Sequence, residues 1–250
     1  MPTWLEAGLW GLLGGGALVL GALVAWFLHV PQGVIASVMA FGSGVLISAV
    51  AFDLMAEAVD TGGLLPTGIG FLGGALAYLG ANALLARRGA RHRKRSGGQQ
   101  PSEDQQAGSG AAIAIGALLD GVPESVVLGV GLLGGGSVSL SVLAAVFISN
   151  VPEGLSSAAG MKRSGRSAAY VFGVWTTIAV VSAIAALTGY ATLGGAPPEL
   201  IAVITAVAAG AILTMIADTM IPEAFEETRT WTGLITTVGF LLAFAIDQAG

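Results

Sequence analysis

Cysteine is absent from this 250-residue chain, and charge is scarce, with Lys, Arg, Asp and Glu together making up 10% of residues. The first absence excludes a disulfide framework, thiolate metal ligation and thiol redox chemistry. The second excludes an ordinary soluble domain, in which about a quarter of residues are charged. No Gly-x-x-x-x-Gly-Lys phosphate loop, no His-Glu-x-x-His and no nucleophile elbow occurs, so an ATP-driven pump or a hydrolase domain has no place here and the chain reads as a non-enzyme. What is present is apolar: 54% of residues are hydrophobic and the mean hydropathy is +0.83. Repeated runs of more than about twenty apolar residues make this an all-α polytopic membrane protein, with residues 1–250 forming one transmembrane domain. The 39 glycines suit close helix packing in lipid, as in Gly11-x-x-x-Gly15 and Gly70-x-x-x-Gly74. The first apolar stretch lacks a basic leader and runs straight into a second, so it reads as a retained span and not a signal peptide.

Hydropathy divides the chain into eight expected spans, near 5–30, 34–59, 64–87, 110–133, 138–160, 167–191, 198–221 and 231–249. Pro31-Gln-Gly, Asp60-Thr-Gly-Gly, Gly134-Gly-Gly-Ser and Gly194-Gly-Ala-Pro-Pro punctuate the breaks. The one sizeable linker, 88–109, carries Arg91-His-Arg-Lys-Arg95 and then Ser, Gly, Gln and acidic residues, a composition expected to be flexible and solvated. Arg87, Arg88, Arg91, Arg93, Lys94, Arg95, Lys162, Arg163, Arg166 and Arg229 all fall on one side of an eight-span path. By the positive-inside rule that side is cytoplasmic and both termini are outside. The basic run is accounted for by topology and anionic lipid contact, with no nucleic acid implied.

The segment Gly44–Ala58 aligns without a gap on Gly210–Ala224; both end in Glu-Ala (Glu57, Glu223) and both carry an earlier aspartate (Asp53, Asp218). Because the two spans run in opposite directions on the eight-span path, the match implies a 3+2+3 inverted repeat, an architecture of secondary transporters.

Two further segments echo each other: Asp120-Gly-Val-Pro123-Glu124-Ser125 and Ser149-Asn150-Val-Pro152-Glu153-Gly154. A carboxylate in hydrocarbon costs roughly 2.5–3.5 kcal/mol on insertion scales, so two such acids at mid-span point to a built ion site. Asp120 and Glu124 are one helical turn apart, as are Asn150 and Glu153. Each proline frees a backbone carbonyl on the preceding turn. Together these oxygens form a coordination shell for a divalent cation. Three neighbouring carboxylates cannot all stay ionised without a counter-charge, which offers a physical route to proton-linked transport. Asp53 and Glu57 at one end, and Asp218 and Glu223 at the other, are candidate way-stations; Glu57 and Glu223 also read as ordinary interfacial carboxylates. Asn150 also reads as a helix-bridging amide. His29, His92, Met215, Met220 and Asp247 read as packing or solvated residues.

These motifs resemble the ZIP family of divalent-metal transporters, which has eight spans, outside termini and a cytoplasmic loop between spans 3 and 4. The family's His-Asn-x-Pro-Glu-Gly on span 4 corresponds to Asp120-Gly121-Val-Pro123-Glu124-Ser125, and its second Pro-Glu-Gly, on span 5, to Pro152-Glu153-Gly154. Its span 7 His-Glu-x-x-Pro-Glu corresponds to Asp218-Thr219-Met-Ile-Pro222-Glu223. The resemblance implies transport of a divalent metal (zinc, iron or manganese) toward the cytoplasm, the metal being substrate. Metal ligands would be drawn from Asp120, Glu124, Asn150, Glu153, Asp218, Asp53, Glu57 and Glu223. The family's span 4 and span 7 histidines are replaced here, and no acid stands near Ser182 on span 6. One oxygen-rich site is therefore expected, favouring Mn²⁺, Fe²⁺ or Mg²⁺ relative to Zn²⁺. The alternatives are a diverged carrier of protons or a small solute, and a non-transporting metal sensor. Expected partners are the metal ion, membrane lipid and a second copy in a homodimer, and the expected location is the cell (inner) membrane.

Overall fold

A computed structural model describes residues 2–94, 99–102, 104–133 and 140–249. Every regular element among them is helical: α1 (Thr3–Phe27), α2 (Gln32–Ser48), α3 (Met55–Gly62), α4 (Leu64–Leu85), α5 (Ser109–Val130), α6 (Leu140–Arg163), α7 (Ala168–Leu193), α8 (Pro198–Met215), α9 (Ile221–Thr228) and α10 (Thr232–Ala249). Large apolar side chains such as Leu64, Leu72, Leu76, Ile184 and Leu234 face outward, which suits a surface bathed in lipid instead of water. The protein is a multi-pass, all-helical membrane protein.

The span count differs from expectation. Among the described residues seven helical stretches are long and apolar enough to cross a membrane, not eight. The expected spans 198–221 and 231–249 belong to one 51-residue helical stretch, Pro198–Gln248. Hydropathy dips at Thr228-Arg229-Thr230, but the dip holds neither glycine nor proline, and α9 passes into α10 through a 3₁₀ turn at Arg229–Trp231 with no loop residue between them. Arg229 takes the bend (φ 44°, ψ −113°), while Thr232 Oγ1 donates to its carbonyl at 2.7 Å. The 3+2+3 scheme and the placement of both termini outside rested on eight spans and fall with that count. The break expected at Gly134-Gly-Gly-Ser lies outside the described residues, as do Arg95 and Glu103 of the linker.

The two matched segments do share a local shape. Each is an α-helix that widens into a π turn, Ala49–Leu54 in one and Ile216–Met220 in the other, and then resumes as a short helix. Asp53 and Asp218 both sit on these π turns, a conformation often found at functional positions.

Buried apolar side chains form two large clusters. One joins α2, α8 and α10 to the C-terminal part of α5 and the N-terminal part of α6. The other joins α1 and α7 to the opposite halves of α5 and α6. Gly11 and Gly15 press on α7 at Ser182 and Ala179, and Gly70 and Gly74 press on α8 at Val203 and Val207, so both small-residue pairs do set close helix contacts. The middles of α5 and α6 run between the two clusters, and there the chain places its polar residues.

Candidate functional site

Both helices continue through their internal prolines, Pro123 in α5 and Pro152 in α6. Asp120, Glu124, Asn150 and Glu153 are all buried, each at most 3% exposed. The counter-charges come from an unexpected quarter. Arg93 and Lys94, in the linker expected to be solvated, are 2% and 3% exposed. Arg93 grips Asp120 bidentately, with Nε donating to Oδ2 at 2.9 Å and Nη2 to Oδ1 at 2.9 Å. Tyr78 on α4 donates its hydroxyl to Asp120 Oδ1 at 2.5 Å and accepts from Arg93 Nη2 at 2.7 Å. Asn82, one turn further along α4, accepts from Arg93 Nη1 at 2.7 Å. Lys94 Nζ lies 2.8 Å from Glu153 Oε2 and 3.4 Å from Asp120 Oδ2, so one ammonium bridges the carboxylates of two helices. A buried charge is stable only when paired and hydrogen-bonded, and this cluster meets both conditions for Asp120.

Glu124 is treated differently. Among the described residues neither of its oxygens accepts a well-formed hydrogen bond, although Asn150, Glu153, Lys94 and Asp120 are close enough to influence it. Asn150 Nδ2 donates to the Gly14 carbonyl of α1 at 3.1 Å, so this amide does bridge helices. Glu223, from α9, is buried and accepts from Ser156 Oγ at 3.1 Å; the same hydroxyl donates to the Lys94 carbonyl. Glu223 is thereby joined to the cluster through one serine. The other acids lie outside it. Asp218 is exposed and lines a groove of about 370 Å³ together with Asn82, Arg91, His92 and Thr219. Asp53 is half-buried and Glu57 is exposed, within electrostatic reach of each other. Among the described residues no three His, Asp or Glu side chains converge as a metal-ion cage. In this conformation Asp120 and Glu153 hold side-chain cations instead.

Sequence reasoning missed Tyr78, Asn82, Arg93, Lys94, Ser156 and Gln100. Gln100, also buried, donates to the carbonyls of Arg93 and Ser157 at 2.8 and 3.1 Å and so pins the linker to α6. One available signal was the Tyr78/Asn82 pair, two polar groups a turn apart on an otherwise apolar helix. Local backbone explains how the linker enters the bundle. Past Leu85 the helix loosens into a π turn, Ala86–Ala90, in which Gly89 adopts φ 97°, a left-handed value suited to glycine. A Cβ at Gly89 would also lie 2.9 Å from Ser109 Cβ. On α5, Gly116 leaves the space Arg93 crosses, since a Cβ there would sit 2.5 Å from Arg93 Cδ and 2.9 Å from Nε. Gly116→Val should therefore destabilise the protein by about 1–3 kcal/mol through overpacking. A lowered thermal midpoint in detergent is the expected result, and Gly16→Val, with open space around it, is the matched control.

The fold and the site together define a class: a multi-pass helical membrane protein with a buried cluster of carboxylate and basic side chains inside its bundle. Compared with protein-family models and with curated proteins, the chain matches no family and no relative.

Proposed function

We propose that the protein moves divalent metal ions across the membrane, with Asp120, Glu124 and Glu153 and the amide oxygen of Asn150 as the mid-depth ligands. One observation carries this reading: acids on two facing helices stabilise two positive charges in a space closed to water. Such a pocket is electrostatically suited to a doubly charged ion, and its oxygen donors suit Mn²⁺, Fe²⁺ or Mg²⁺ while allowing Zn²⁺. Asp218, in the groove that Asn82 shares with the cluster, and Glu223, linked through Ser156, are the way-stations on one side. Asp53 and Glu57 serve the other. This is the activity implied by the resemblance to ZIP transporters, which also supplies the direction, toward the cytoplasm, and a setting in the inner membrane.

The test exploits Glu124, which bonds to no cationic side chain among the described residues. Glu124→Gln should leave the thermal midpoint within a few degrees of the parent yet lower Mn²⁺ uptake into vesicles at least tenfold. Uptake equal to the parent's would remove Glu124 from the ligand set. A second reading, proton or small-solute carriage, draws on the charge balance that Arg93 and Lys94 already provide. Saturable Mn²⁺ binding that vanishes in Glu124→Gln and Glu153→Gln excludes this second reading, and uptake into vesicles separates transport from non-transporting metal sensing.

A further inference from the structure

We propose that Arg93 and Lys94 form a tethered cationic gate, competing with the transported ion for Asp120 and Glu153 and leaving when that ion enters. The proposal rests on the metal-transport reading of the same carboxylates and adds how access to them is governed.

The two side chains do not belong to the spanning helices. They project from the turn after Ala90 and reach the cluster because Gly89 redirects the chain. Their seat is shaped to receive them: Gly116 opens the passage, and Tyr78 and Asn82 complete the hydrogen bonding of the guanidinium. The seat is also one that they can leave. Besides the ionic contacts and the bonds to Tyr78 and Asn82, the turn is fastened by side-chain hydrogen bonds from Ser156 and Gln100 to the Lys94 and Arg93 carbonyls. Gln106, which donates to the Arg87 carbonyl at 3.3 Å, and the burial of Ala90 hold it as well. None of these is a covalent or continuous-helix tie to α5 or α6.

The charge arithmetic favours exchange. One guanidinium and one ammonium carry the same total charge as one divalent ion. Swapping them for that ion leaves the net charge of the buried cluster unchanged. The released side chains recover hydration, and the ion takes the oxygens they vacate. Removal of Arg93 and Lys94 without replacement would instead strand two carboxylates in a dry interior, which is strongly unfavourable. The gate therefore opens when a cation arrives and stays shut in its absence, so the empty protein does not leave a hydrated path through the bundle.

The native chain has no cysteine, which permits a single-thiol test that retains both gate residues. Ala90 is fully buried against the turn, and its carbonyl accepts from the Arg93 backbone N–H at 3.2 Å. Ala90→Cys in the full chain, reconstituted in vesicles, should react slowly with a membrane-impermeant maleimide. Saturating Mn²⁺ should speed that reaction at least tenfold, and Glu153→Gln in the same background should abolish the acceleration. Lys94→Gln should in turn bind Mn²⁺ about tenfold more tightly than the parent, its competitor having been removed. If Mn²⁺ binds in a Glu153-dependent way but neither the labelling rate nor the Lys94→Gln affinity changes, the gate is wrong and the transport reading stands. If neither the parent nor Lys94→Gln binds Mn²⁺ through Glu153, both fail together.

Discussion

Asp120→Ala is expected to lower stability by about 3–5 kcal/mol, the cost of breaking a buried ion pair by removing one partner. The alanine deletes both oxygens that accept from Arg93, and the Tyr78 hydroxyl loses its 2.5 Å acceptor as well. Lys94 keeps Glu153 at 2.8 Å, so the damage concentrates on the guanidinium, which no other carboxylate among the described residues holds at ion-pair distance. Unfolding followed by circular dichroism in detergent reads the loss. The pairing account makes a second demand: Asp120→Ala combined with Arg93→Met, which removes both charges together, should recover part of the stability, the remaining loss falling on Tyr78 and Asn82. An Asp120→Ala protein with the parent's midpoint would show that the ionic contacts contribute nothing net.

Glu153→Gln is expected to slow Mn²⁺ uptake about a hundredfold, or about 2.7 kcal/mol in the barrier. Glutamine preserves the volume and one acceptor oxygen but removes the charge, and the oxygen shell of a hard divalent ion draws most of its strength from carboxylates. Stability should suffer less than in Asp120→Ala, because Lys94 retains Asp120 Oδ2 at 3.4 Å and an amide oxygen still accepts from it. Initial uptake rates at several Mn²⁺ concentrations separate weakened binding from slowed translocation. A rate within twofold of the parent would exclude Glu153 as a ligand.

The residues legible in the sequence were those whose placement violates a strong rule. Asp120, Glu124 and Glu153 stood out because carboxylates are expensive in apolar helices, and all three are indeed buried in the bundle. The Gly44–Ala58 and Gly210–Ala224 match was legible as well, and it surfaces as a shared π turn. Arg93 and Lys94 were not legible, because within a run of basic residues every member looks equally solvated. Which two turn inward depends on the backbone at Gly89 and on space at Gly116, neither of which has a signature in composition. The eighth span was over-read for a related reason: hydropathy registers a polar dip at Arg229 but not whether a loop or a 3₁₀ turn joins the helices there. Glu223 read equally as a way-station and as an interfacial carboxylate, and only the position of Ser156 on the facing helix reveals its link to the cluster.

The division of the apolar interior into two clusters has a mechanical consequence. Packed side chains resist shear because every displacement opens gaps, whereas a layer of hydrogen bonds and ion pairs can trade partners without losing density. The polar middles of α5 and α6 lie between the clusters, and each of these helices has one half packed in either cluster, so continuous helix ties the two apolar blocks together. Within that frame the exchangeable contacts are the ion pairs of Asp120 and Glu153, whose cations come from the Arg93–Lys94 turn and not from either helix.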